Sequence, residues 1–120
     1  NGQAATDFCG SAVSISADGG HVAVLAPGHD GISGTDLGQV RVFRYQGGGW
    51  VQVGRSINGE NDYDGACSIV AFANHDCGAS VSLNGDGTRV AMGSPEASNK
   101  AGAVRVFEWN TADWVQLGTE

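Results

Sequence analysis

Polar and apolar residues alternate along short stretches of this chain, and the stretches return. Val13 and Ile15 alternate with Ser14 and Ser16, the period of two expected of a strand with one face in a core. Val22 to Ala26 follows as a second, more continuously apolar strand. Between them Ala17-Asp18-Gly19-Gly20 reads as a tight turn, since Asp and Gly tolerate the positive φ that a two-residue hairpin demands. Val40 to Tyr45 and Trp50 to Val53 predict a second hairpin across Gln46-Gly-Gly-Gly49. No stretch sustains a helical period, so almost no helix is expected.

The pattern occurs twice. Cys9-Gly-Ser-Ala-Val-Ser-Ile-Ser-Ala-Asp-Gly-Gly-His-Val-Ala-Val-Leu-Ala-Pro27 is echoed by Cys77-Gly-Ala-Ser-Val-Ser-Leu-Asn-Gly-Asp-Gly-Thr-Arg-Val-Ala-Met-Gly-Ser-Pro95. Gly38-Gln-Val-Arg-Val-Phe-Arg-Tyr45 and Trp50-Val-Gln-Val-Gly54 recur as Gly102-Ala-Val-Arg-Val-Phe-Glu-Trp109 and Trp114-Val-Gln-Leu-Gly118. Self-similarity at a period of roughly sixty residues means one supersecondary unit used twice, each copy burying a face against its neighbour. The expected fold is all-β: two four-stranded antiparallel blades of a β-propeller, repeat 1 at residues 1–57 and repeat 2 at 58–120. A propeller needs about four to eight blades to close, so the others are expected from a longer chain or from identical copies. Asn1-Gly2 matches Asn58-Gly59 and Glu120 falls opposite Ser56, a phasing that favours a segment of a longer array or an engineered excerpt.

Phe8-Cys9-Gly10, the Ala26-Pro27 ending, the glycine-rich loop after it and the Gly38 to Tyr45 strand resemble the FG-GAP repeat family, the blades of integrin-α-type propellers. The resemblance covers nearly the whole chain and extends to a tandem variant of secreted and surface proteins with Ser-Val-Ser-Leu, Asp-Gly, Val-Arg-Val-Tyr and Trp-x-Gln-Leu-Gly segments. Two departures stand out: His75-Asp76-Cys77-Gly78 replaces a Phe-Gly, and Ser94-Pro95 replaces Ala-Pro. The resemblance implies an extracellular or cell-surface protein that serves as a structural and adhesive interaction module. The family's calcium loop between the first two strands calls for several alternating carboxylates, whereas Asp18 and Asp86 stand almost alone and read as plain turns.

Thirteen acidic residues against six basic ones, with three histidines and no Lys or Arg run, argue against nucleic acid and against an anionic membrane surface. No apolar run approaches the length of a bilayer span, so no membrane insertion is expected. Twenty glycines fit a chain made of turns. No nucleophile elbow, phosphate loop, paired carboxylates by an apolar pocket or histidine pair at metal spacing occurs, so catalysis by this chain is not expected.

Candidate chemistry is confined to loops. Nineteen positions separate Asn58 from Cys77 against eight from Asn1 to Cys9, which makes residues 65–75 an insertion of about eleven residues. Cys67 and Cys77 bracket a loop whose closure by a disulfide would stabilise the fold by about 3 kcal/mol on the entropic account, and the pairing implies an oxidising compartment. Cys9 is then left as a free thiol, as a partner for something outside the chain, or as the partner of Cys67. Glu60, Asp62 and Asp64 alternate before Gly65, the opening of a calcium loop; a solvated acidic linker is the plainer reading, since no bidentate carboxylate follows. Calcium at this site is the one cofactor the sequence suggests. Asp7 matches Asp64 and reads as a turn residue capping backbone N–H groups. His29, Asp30 and Asp36, on the loop between the hairpins, are candidate interaction residues, with solvated turn residues as the alternative. His21 lies opposite Arg89 in the repeat and is expected to be exposed. Trp50, Trp114, Tyr45 and Trp109 hold matched positions: aromatics there either fill space between sheets or stack on sugar, which leaves a lectin as the alternative function beside a calcium-dependent adhesion module.

Overall fold

Alternation becomes two antiparallel sheets. The structure, a computed structural model, describes residues 2–5, 7–28, 38–58, 80–94 and 102–118. The first sheet holds β1 (Ala12–Ile15), β2 (His21–Ala26), β3 (Gln39–Gln46) and β4 (Gly49–Gln52) in that order, with β5 (Ile57–Asn58) on β3. The second holds β6 (Ser80–Leu83), β7 (Arg89–Ser94), β8 (Ala103–Trp109) and β9 (Trp114–Gln116), also in chain order. All the pairings are antiparallel, and no helix occurs among the described residues.

The registers repeat with the sequence. Ala23 stands opposite Ser14 and Val42 in the first sheet, as Ala91 stands opposite Ser82 and Val106 in the second. The second hairpin of the first sheet turns on Gly47 and Gly48 alone, at φ 62° and 82°, the pair of positive values that a two-residue turn matched to strand twist requires. The first hairpin differs from expectation. Ser16 N–H donates to the His21 carbonyl, so residues 17–20 form a four-residue loop instead of a two-residue one. A side-chain acceptor just before the loop bridges it: the buried Ser16 hydroxyl donates to Asp18 Oδ1 at 2.7 Å and accepts from His21 N–H at 3.0 Å, and Asn84 Oδ1 accepts from Arg89 N–H in the matching four-residue loop of the second sheet. A further difference is β5. Val40 pairs with Ile57 and Gln39 with Asn58, so the chain beyond β4 returns to the same edge of β3 and the first sheet gains a fifth strand.

The core lies between the sheets. Ala23, Leu25, Val40, Val42 and Ile57 from the first meet Val90, Met92, Phe107 and Trp114 from the second. β1 and β2 lie beside β6. Main-chain groups are joined across the gap at both ends of this contact. Near β1, Leu83 N–H donates to Ser14 Oγ at 2.9 Å and Ala17 N–H to the Gly85 carbonyl at 3.0 Å. Near β4, the Trp114 indole Nε1–H donates to the Val53 carbonyl at 2.8 Å, and Arg55 donates from its backbone N–H to Asp113 Oδ1 and from Nη2 to the Trp114 carbonyl. An indole this deeply covered needs such an acceptor, since an unpaired buried donor costs about 1–3 kcal/mol.

Candidate functional site

The described aspartates serve turns, while Glu108 pairs with Arg89 across β7 and β8 at 2.6 Å. Asp18 accepts from the Ser16 hydroxyl and the Gly20 N–H, and these bonds, the hydroxyl's first, hold its carboxyl below the usual 3.8. Asp86 does the same with the hydroxyl and N–H of Thr88, again below 3.8. Asp113 is lowered by the N–H groups of Arg55 and Trp114, with the Arg55 guanidinium 3.5 Å away adding a weaker attraction. Asp7 is buried and its Oδ2 accepts from Ala4 N–H at 2.9 Å, the capping geometry expected of it. Among the described residues no group of His, Cys, Asp or Glu is placed to hold a metal ion. Glu60, Asp62, Asp64, the pair Cys67 and Cys77, and the loop residues His29, Asp30 and Asp36 lie outside the described residues.

Cys9 carries a free thiol, half-buried, and its Sγ accepts from Arg41 Nη2 at 3.4 Å. Arg41 is itself buried, with its guanidinium 5.4 Å from the centre of the Phe43 ring; Arg105 takes the matching pose 5.9 Å from Phe107. Burial of these two arginines was not anticipated from sequence. The signal was there: Arg41 and Phe43 are two apart on one strand and so share a face, as do Arg105 and Phe107.

His21 is not exposed. It is half-buried, and its ring lies where a side chain on Gly87 would project, so the turn of the second sheet passes close over it. The tryptophans part company despite their matched sequences. Trp114 is 1% exposed and fills the inter-sheet space, whereas Trp50 is 48% exposed and stacks edge-on with Tyr45 at 5.4 Å. Trp114 therefore offers no face to a sugar, whereas the exposed Tyr45–Trp50 pair keeps that geometry.

What the described surface does hold is apolar. On β1, Val13 and Ile15 are 64% and 61% exposed, and they share the outward face of the first sheet with Trp50 and Tyr45. On β8, Val104 is 64% exposed, and Leu117, just beyond β9, lies on the same outward face of the second sheet. Neighbouring apolar side chains left bare on one face are candidates for a contact surface. Comparison with protein-family models, with curated proteins and with solved structures finds no match for this chain. No helix among the described residues is long and apolar enough to cross a membrane.

Proposed function

We propose that this chain is a non-catalytic segment of an extracellular β-propeller of FG-GAP-like repeats, acting as a structural and adhesive protein-interaction module. The observation that carries the reading is the pair of bare apolar faces, one on the outward side of each sheet, holding Val13 and Ile15 at one end and Val104 at the other. Repetition supports the propeller geometry: two sheets of matched register, each built in chain order, stacked face to face through apolar positions. The oxidising location follows from the disulfide expected between Cys67 and Cys77. Face loops carrying His29, Asp30 and Asp36 would add polar contacts around such a module.

The test is photo-crosslinking in the chain's native setting, with a benzophenone side chain at Val13 or Val104 and a control at Gln46, the exposed last residue of β3. Protein adducts at both faces and none at the control are expected. Absence of protein adducts at both faces refutes the module. A second reading rests on the exposed Tyr45–Trp50 pair, whose edge-on rings could receive a sugar. It predicts quenching of Trp50 fluorescence by glycan, with Trp114 unaffected, and unchanged emission across a glycan panel removes it.

A further inference from the structure

The two bare faces are the two halves of an interface this chain already contains. The key positions on them have twins in the other copy of the repeat that are covered. Val40 is 0% exposed where its counterpart Val104 is 64% exposed; Trp114 is 1% exposed where its counterpart Trp50 is 48% exposed. The glycines agree. A side chain on Gly54 would strike Trp109 and Trp114, and one on Gly87 would strike His21, while their twins Gly118 and Gly19 face open space at the same left-handed φ. The outward face of the second sheet thus repeats the covered face of the first, and the outward face of the first repeats the covered face of the second.

We infer that a second copy of this chain docks head-to-tail, the outward face of its first sheet covering the outward face of this chain's second sheet. The inference rests on the reading of the chain as an interaction module and names its partner. The contact continues the internal one, so its bonds can be written from those present. Trp50 Nε1–H of the second copy donates to the Leu117 carbonyl, as Trp114 does to Val53. Ile15 N–H of the second copy donates to Ser82 Oγ, as Leu83 does to Ser14. Gly85 N–H donates to the Ala17 carbonyl of the second copy, as Ala17 does to Gly85. An interface between unlike faces leaves one of each kind free at the ends, so association proceeds to a closed ring or to open growth.

Three proteins test it by sedimentation velocity: the wild type, a head variant Val104→Arg, and a tail variant Val13→Arg with Ile15→Arg. All three changes fall on exposed positions, and circular dichroism checks each fold. The wild type should at least double its mass as concentration rises; each variant alone should stay at the monomer mass. An equimolar mixture of the two variants should reach twice that mass and stop, because it offers only one competent pair of faces. A wild type monomeric up to its solubility limit overturns the inference without needing either variant. So does a variant that dimerises alone, which would mean like faces pair. A monomeric wild type whose faces still crosslink to other proteins sinks the second copy as partner and leaves the interaction module standing.

Discussion

Identical local sequence with opposite burial makes the two tryptophans a direct measure of what inter-sheet packing contributes. Consider Trp114→Phe and Trp50→Phe, each in an otherwise unchanged chain. At Trp114 the substitution removes the only indole N–H that reaches the Val53 carbonyl among the described residues, at 2.8 Å, and leaves a gap beside Trp109, whose ring centre is 5.6 Å away. An orphaned buried acceptor costs about 1–3 kcal/mol, and the lost ring area at about 25 cal/mol per Å² adds about 1 kcal/mol. The expected total is about 2–4 kcal/mol. At Trp50 the ring is half in solvent, and Phe retains the edge contact with Tyr45, so the change should stay within about 0.5 kcal/mol. Urea unfolding followed by far-UV circular dichroism gives both numbers, provided the protein is dilute enough to be monomeric, since association would protect Trp50 as well. Equal costs, or a larger one at Trp50, would refute the argument that Trp114 is buried where Trp50 is not.

Other paired substitutions draw on the same logic. Gly54→Ala must force a left-handed residue against Trp109, whereas Gly118→Ala meets only the backbone penalty of about 1–2 kcal/mol; thermal melts should show the first falling clearly further, and equal falls would contradict the packing. Ser14→Ala removes the acceptor for Leu83 N–H and should cost about 1–2 kcal/mol in urea unfolding, while Ser82→Ala in dilute monomer should be near neutral; the reverse order would mean the sheets are not joined at β1. Asp18, Asp86 and Asp113 all titrate below 3.8 in the folded chain, so the unfolded chain binds more protons and their stabilisation is complete above that value and lost as pH falls beneath it. The urea midpoint should therefore decline on acidification through this window, less so in Asp18→Asn, and a midpoint that rises there would reverse the sign.

Strands were legible because their cause is local. Ser14 and Ser16 interleaved with Val13 and Ile15, or three glycines after Gln46, dictate extended chain and turn whatever surrounds them. Loop length at the first hairpin was not, since Asp-Gly suits a two-residue turn as well as the four-residue loop that Ser16 and Asn84 bridge. β5 escaped for a related reason: Ile57 and Asn58 are too few to show alternation, and only the proximity of Val40 and Gln39 makes them a strand. The division between Trp50 and Trp114 lies further still from local sequence. Both sit in Trp-Val-Gln, and what separates them is that one copy of the repeat has a neighbour on that side. Arg41 and Arg105 read as solvent residues when counted as charges, yet both are buried, each guanidinium beside the ring two positions on.

Where the two copies differ, the difference sets how tightly a second chain can dock. The internal contact carries a clamp at its far end, in which Asp113 accepts the Arg55 N–H and stands 3.5 Å from its guanidinium. In the sequence repeat the counterparts of Asp113 and Arg55 are Gly49 and Thr119, which carry neither a carboxylate nor a guanidinium. Docking of a second copy should therefore be weaker than the cohesion of the two sheets within one, and dilution should separate chains before it loosens sheets. Restoring the clamp tests this. A side chain built at Gly49 meets nothing within 4 Å and its backbone is not left-handed, so Gly49→Asp is tolerated there. Combined with Thr119→Arg in the same chain, it supplies an acid and a guanidinium at the sequence counterparts of Asp113 and Arg55, a pair that only a docked second copy would bring together. An exposed pair contributes about 0.2–1 kcal/mol, so the double variant should lower the self-association Kd by up to about fivefold at low salt, with the gain fading as salt is raised. Each single change should do less than half as much. A double variant that associates no better than wild type would mean that the second copy does not meet this chain in the register of the internal interface.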